Sequence, residues 1–349
     1  MHRSLHRAGR PRRRPLSAVV CALGVLGLVA VLPPARAAFS AVTTNAGTAF
    51  AADHVLPASG LSAAQSCTSP SVIAFRGAAT TIGGDSVTLA IPTATVAGDV
   101  LIAQLVYAYP AATLTAPAAW TRVRLDTSGV AVSAVFVKTA VAGEPGATFS
   151  LPAGTGASLG GGVLAYSGVD SSAPVEAAAS RSSYGTTVTT PAVTTTRTGT
   201  MLVRLITKAN ETYVAPTGTT QRWRLGSGGG TTASDEPFAG PGTTPSRSSS
   251  STTGTNSDGI GQTIALRHTP GTPSVVMTWT ASPSSWATGY HGDVYVNGSL
   301  SYRLTVTPIS STSASGALTN GYTYTFNLMA YQGNWQSAAV STTLTPNCP

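Results

Sequence analysis

The sequence predicts an all-β protein built from two β-sandwich domains, a larger jelly-roll-like one followed by a smaller one. Three observations point there. Thr, Ser, Ala and Val dominate the 349 residues, only 9% of which are charged, and 37 glycines and 23 prolines punctuate the chain. Helix formers such as Glu, Lys and Leu are scarce, whereas β-branched residues abound. Outside the N-terminal segment, no long stretch places apolar residues at i, i+3, i+4 and i+7. Short runs recur instead about every ten residues between Gly, Pro and Asp, as strands of a sandwich or barrel do.

The N-terminal segment comes first. A basic stretch, Arg10-Pro11-Arg12-Arg13-Arg14, precedes an apolar run from Ala18 to Leu32, then Pro33, Pro34 and the small-residue site Ala35-Arg36-Ala37. Charged region, apolar core and A-x-A site are the parts of a secretory signal, here over residues 1–37. The apolar run falls short of the about 20 residues that span a bilayer, so a retained anchor is the lesser alternative. Membrane contact is then transient, through the signal alone. Pro15 stands where a twin-arginine signal has a polar residue, which favours the general secretory route. Removing the signal takes away seven of the 20 basic residues and none of the 12 acids, so the net charge drops from +8 to +1. No basic patch remains for nucleic acid, whose phosphates require clustered Lys and Arg. Cys21 also leaves. Cys67 and Cys348 remain as an even pair in an oxidising compartment; a disulfide is the first reading and two free buried thiols the alternative.

Residues 38–65 read as an extended leader, small and polar, with Phe39 and Phe50 as its large aromatics. Residues 66–269 read as the larger sandwich. Val100–Ala108 is almost continuously apolar, as in a central strand covered on both faces. Val132, Ala134 and Phe136 alternate with Val130 at the head of the same face. In Met201–Ile206, residues Met201, Val203 and Leu205 face one way and Leu202, Arg204 and Ile206 the other. Residues 226–262 are low in complexity and read either as a flexible linker or as Ser/Thr-rich strands of the same sandwich. Residues 270–349 form the smaller sandwich. There Val275, Met277 and Trp279 share one face, and Tyr322, Tyr324, Phe326, Leu328 and Ala330 alternate in the same way.

The smaller sandwich resembles a fibronectin type III domain. The resemblance is carried by VVMTWTAS at 275–282, with Trp279 as the core tryptophan, and by LTNGYTYTFNLMAY at 318–331, where Leu318 precedes Tyr324 by the tyrosine-corner spacing. The first strand of such a domain is not evident before Pro273. LPASGLSA at 56–63 looks like the missing opening, which would make the larger sandwich an insertion between first and second strands and bring Cys67 and Cys348 together; simple tandem domains are the alternative. The middle region looks like a sandwich domain of secreted bacterial proteins, through GDVLIA (98–103), APAAWT (116–121), AYSGVD (165–170) and GQTIALR (261–267). Residues 37–52 resemble the segment after the cleavage site of surface and matrix proteins released by a dedicated signal peptidase.

No established catalytic motif is present. His54, His268 and His291 are widely separated, and none has a second His or Cys at metal-ligand spacing; a triad through His268 or His291 is the catalytic alternative. The acids Asp85, Asp99, Asp258 and Asp293 sit beside glycines, where Asp forms turns. A glycosidase would need two carboxylates across a cleft. No cofactor is expected, with calcium at Asp235, Glu236 or Asp258 as a weak alternative. Trp120, Trp223, Trp286 and Trp335 are candidate ligand-binding aromatics, with edge packing as the other reading for Trp120 and Trp223. Tyr290, Tyr295 and Tyr302 are a candidate exposed stripe. The functional expectation is a non-catalytic secreted or cell-surface protein using its sandwiches for adhesion and structure. Its partners would be extracellular polysaccharide or other surface proteins. A carbohydrate-binding accessory protein is the alternative, and a glycoside hydrolase the weaker one.

Overall fold

The computed structural model describes residues 54–208, 213–226, 230–251, 253, 254 and 256–349; the segment expected to be an export signal and most of the expected leader lie outside these residues. The described chain is all-β, with strands arranged in antiparallel sheets. No helix among the described residues is long and apolar enough to cross a membrane.

Strand β1 (Ser59–Cys67) precedes the larger sandwich in sequence but does not pair with it. The next strands build the larger sandwich as four layers. A first five-stranded sheet contains β2 (Ala74–Ile82), β4 (Val100–Tyr107), β5 (Thr121–Ser128), β6 (Ala131–Thr139) and β8 (Gly160–Ser167), in the order β2-β8-β4-β6-β5. Its outer face is covered by the pair β3 (Ser86–Leu89) and β7 (Ala147–Ser150) over a core that includes Leu101, Leu105, Phe136 and Phe149. A second five-stranded sheet contains β9 (Val175–Gly185), β12 (Thr200–Lys208), β13 (Thr220–Leu225), β14 (Thr231–Phe238) and β17 (Ser257–Leu266), in the order β13-β14-β12-β17-β9. Two small pairs cover it, β10 (Thr187–Thr190) with β16 (Arg247–Ser250) and β11 (Thr194–Thr195) with β15 (Gly242–Thr243). The two large sheets pack face to face over Ile102, Val135, Leu164, Val203, Leu205 and Ile264. This explains the unbroken apolar run of β4: one face meets β3–β7 and the other meets the second sheet, so every residue is buried. Met201, Val203 and Leu205 face the first sheet while Leu202 and Ile206 face the outer covers, as the alternation predicts. The low-complexity residues supply β14, β15, β16 and the start of β17, not a linker.

The larger sandwich is a duplication that the sequence does not advertise. Read in chain order, β2 to β8 and β9 to β17 give the same strand order, with β9 in the place of β2, β12 of β4, β13 of β5, β14 of β6 and β17 of β8. A β-bulge leaves Arg76 unpaired in β2, and another leaves Glu176 unpaired at the matching place in β9. A second matching pair of bulges leaves Val123 in β5 and Arg222 in β13. Ala119 (φ 67°) and Gly218 (φ 85°) are left-handed in equivalent turns, each closed by the next residue's N–H donating to the carbonyl of Pro117 or Pro216. The halves meet as the subunits of a symmetric dimer would. At one edge β5 lies against β9, where Arg124 donates to Ser180 Oγ at 2.8 Å. At the other, the equivalent β13 lies against β2, where the Arg222 guanidinium sits 4.0 Å over the Phe75 ring.

The smaller sandwich completes itself with β1. Its first sheet has the order β1-β18-β21, with β18 (Pro273–Thr280) and β21 (Ser313–Ala317). Strand β1 runs antiparallel to β18 from Ser59 opposite Thr280 to Cys67 opposite Pro273. Residues 68–272 therefore leave and return between the first two strands of one sandwich. The second sheet contains β19 (Gly289–Val296), β20 (Ser299–Val306), β22 (Tyr324–Gln332), β23 (Trp335–Gln336) and β24 (Val340–Leu344). The core between the sheets holds Val275, Met277, Trp279, Tyr290, Tyr324, Phe326, Leu328 and Ala330, together with Leu318. Tyr322 lies before β22 and is exposed. Tyr324 Oη accepts the Thr319 N–H at 3.0 Å, a side-chain bond back to the segment just upstream of its strand.

Cys67 and Cys348 form a disulfide with Cα atoms 5.7 Å apart. It sits at the neck where the larger sandwich joins. There Thr68 N–H donates to Thr272 O, Thr272 N–H to Thr68 Oγ1, Ser71 N–H to Thr269 O, and Gly271 N–H to Pro349 O. The two chains of the neck thus form a short hydrogen-bonded ribbon beside the covalent link.

Candidate functional site

The groups expected to carry chemistry are absorbed by the fold. Asp235 and Glu236 are neighbours on β14, so their side chains leave opposite faces of the sheet. Asp235 turns inward, accepts a 2.8 Å hydrogen bond from Tyr166 Oη and pairs with Arg222 at 2.8 Å. Glu236 turns outward between Arg204 (2.7 Å) and Arg247 (2.6 Å). Asp258 stands at the far end of β17 from Ile264, the residue on Asp235's rung. The three do not converge on a common point. Among the described residues, no group of three or more His, Cys, Asp or Glu is placed to hold a metal ion.

Other acids among the described residues are bound in the same way. Asp126 engages Arg124, Ser180 and Gln262, and Asp170 pairs with Arg267 at 2.7 Å. Burial alone would raise the Asp126 carboxyl, but the hydrogen bonds from Arg124, Ser180 and Gln262 bring it below its ordinary value. Asp99 accepts the Val96 N–H at 2.9 Å and closes its turn, whereas Asp85 accepts the Gly154 N–H at 2.8 Å and ties its turn to the loop after β7. Asp258 departs from the turn reading, lying within β17 opposite Tyr184, and so does Asp293. Asp293 lies within β19, is buried, and is held in a bidentate pair with Arg303 across the rung. His268 is buried with Nδ1 3.1 Å from the Thr269 carbonyl. His291 stacks on Tyr331, with centroids 4.0 Å apart and planes 9° off parallel, and its Nδ1 lies 2.8 Å from Gln336 Nε2.

The tryptophans separate cleanly. Trp120, Trp223 and Trp279 are 8%, 6% and 5% exposed, whereas Trp286 and Trp335 are 40% and 62% exposed. Trp120 packs edge-on against Phe149 in the outer core, and Trp223 lies between the two large sheets. Neither ring is open to a ligand, which corrects that reading for both. Both rings serve packing, Trp120 in the outer core and Trp223 in the core between the sheets. Tyr290 is also core, with its hydroxyl accepting the Ser282 N–H and donating to the Ile309 carbonyl, each at 2.8 Å; it is no part of an exposed stripe.

Trp286 and Trp335 lie in neighbouring loops at one end of the smaller sandwich. Trp286 is in the connection from β18 to β19, and Trp335 closes the β22–β23 hairpin opposite Gln332. The loops are joined: Thr288 N–H donates to Tyr331 O at 2.9 Å and Thr288 Oγ1 to Gln332 Oε1 at 2.7 Å. The first loop is also pinned from within. Ser282 N–H reaches Tyr290 Oη, Ser282 Oγ donates to Leu56 O, and Ser284 Oγ accepts the Leu56 N–H at 3.0 Å. With Ala287 anchored in the core, Trp286 is turned outward. This end sits where β1 begins and β18 finishes, opposite the neck and its disulfide. Thr288, Gln332 and the His291–Tyr331 stack were not identified from the sequence. The available signal was that both exposed tryptophans stand in stretches with no Asp, Glu, Lys or Arg, 281–290 and 332–339.

Neither a scan against protein-family models nor a search of the curated proteins finds a match for this chain.

Proposed function

We propose that the protein is a non-catalytic extracellular module, exported by its N-terminal signal, that serves as a spacer and adhesion element at a cell surface or in a matrix. The observation that carries this reading is the covalently closed smaller sandwich: it holds the double sandwich at its neck and leaves two exposed tryptophans at the opposite end. The disulfide fits an oxidising, extracellular compartment. The hydrogen bond from Thr319 N–H to Tyr324 Oη supports the fibronectin type III resemblance. The structural engagement of Asp126, Asp170, Asp235, Glu236 and Asp293 supports a role other than hydrolysis, because a hydrolytic pair needs carboxylates facing a shared cleft.

Beads coated with the purified protein test the reading. They are expected to be retained on the producing cells or on their extracellular matrix, well above beads coated with an unrelated β-sandwich. Incubation with polysaccharides is expected to release no reducing sugar. Absence of retention, or sugar release abolished by one carboxylate substitution, would overturn the proposal.

A further inference from the structure

The geometry points to a binding platform for a neutral polysaccharide, formed by Trp286 and Trp335; this inference rests on the adhesion reading and names its partner. The burial contrast is the first argument. This fold buries Trp120, Trp223 and Trp279 almost completely, yet leaves two rings outside on joined loops. Exposed indole surface has no folding advantage, since apolar area stabilises only when it leaves water. The second argument is rigidity. Bonds from Ser282, Ser284 and Thr288 fix the first loop to β1's approach, to the core and to the second loop. A platform fixed before binding avoids the cost of ordering loops and side chains on contact.

Charge supplies the third argument and selects the ligand class. No Asp, Glu, Lys or Arg occurs at 281–290 or 332–339, which offer instead amide and hydroxyl groups from Thr288, Gln332, Asn334 and Gln336. The nearest strand-borne charges, Asp293 and Arg303, are closed on each other. Anionic polymers are recognised by clustered Lys and Arg. A neutral sugar offers apolar C–H faces for stacking and hydroxyls for amides, which is what these loops match. An end-on platform, open and opposite the neck, suits a long chain laid across it.

Affinity electrophoresis in gels containing galactomannan, mannan, xyloglucan or mixed-linkage β-glucan tests this, with alginate and heparin as anionic comparisons. The wild-type protein is expected to be retarded by at least one neutral polymer. Trp286→Ala and Trp335→Ala are each expected to weaken that retardation at least about tenfold, and the double variant to abolish it. Unchanged thermal unfolding of the variants shows that folding is intact. Retardation by none of the neutral polymers, by the anionic ones alone, or equally in the double variant would overturn the inference. The bead assay separates the two levels. Beads that adhere while no neutral polymer retards the protein leave adhesion standing and assign it to another partner, such as a surface protein; beads that do not adhere remove the adhesion reading itself.

Discussion

The Arg204–Glu236–Arg247 group shows why single residues here behave as structure. Arg204 is fully buried on β12. It donates to Glu236, to Thr263 Oγ1 at 2.8 Å and to the carbonyls of Pro191 and Pro245 at 3.1 and 2.7 Å. Removing the partner of a buried charge leaves it uncompensated, so Glu236→Gln is expected to cost about 3–5 kcal/mol in urea unfolding at neutral pH. The pH dependence has a definite sign. Burial would raise the Glu236 carboxyl, but hydrogen bonds from Arg247 and Arg204 bring it below its ordinary value. A depressed carboxyl stabilises the fold above the unfolded pKa of about 4.3, and that contribution fades as pH falls through the folded value. Acid unfolding curves below about pH 4 are therefore expected to be shallower in Glu236→Gln than in the wild type, and identical slopes would argue against the assignment. The sequence places Glu236 beside Asp235 and invites a shared ligand. A strand sends neighbours to opposite faces, and only pairing with β13 and β12 reveals the cation on each side, Arg222 for Asp235 and Arg204 for Glu236.

At the scale of elements, alternation reads well and duplication reads poorly. An unbroken apolar run identifies β4, which is covered on both faces, and period-two patterns identify β6, β12, β18 and β22 through the faces they bury. Covering pairs such as β10–β16 are opaque, because Thr187, Thr189, Ser248 and Ser250 carry exposed hydroxyls, with Thr189 and Ser248 bonded across the rung at 2.8 Å, and no apolar rhythm marks them. The repeat is hidden for a similar reason: what the halves share is backbone geometry, the bulges and left-handed turns, which many sequences satisfy. That shared geometry makes a test. Ala119 holds in the first half the left-handed turn that Gly218 holds in the second. A left-handed non-glycine residue costs about 1–2 kcal/mol, partly offset by the flexibility glycine adds to the unfolded chain. Ala119→Gly is thus expected to raise stability by up to about 1 kcal/mol, and Gly218→Ala to lower it by about 1 kcal/mol or more, in thermal unfolding. Opposite signs at equivalent positions would reflect one turn used twice; equal signs would not.

The whole molecule is organised by one covalent closure. Because β1 lies before the insertion and Cys348 near the end of the sequence, the disulfide encloses both sandwiches in a loop with a sequence separation of 281 residues. Only the chain before Cys67 and that after Cys348 lie outside the loop. A pull applied between those outer segments crosses the sulfur–sulfur bond and bypasses both cores, apart from the strand β1 that must shear along β18. For a surface spacer this makes length insensitive to load, and it places the weak step at β1. Loop-closure entropy for a separation of this size contributes about 5 kcal/mol in the chain-entropy model, so Cys67→Ser with Cys348→Ser is expected to unfold at markedly lower urea concentration. The decisive measurement is mechanical. Protein tethered by tags placed before residue 54 and after Pro349 is expected, when oxidised, to lengthen only by the short segment that carries β1. After reduction, the same pull releases the 281-residue loop, about 1,000 Å of extended chain at roughly 3.5 Å per residue. Full-length release from the oxidised protein would mean that load does not pass through the disulfide, and the spacer mechanism would have to be sought in the sandwiches themselves.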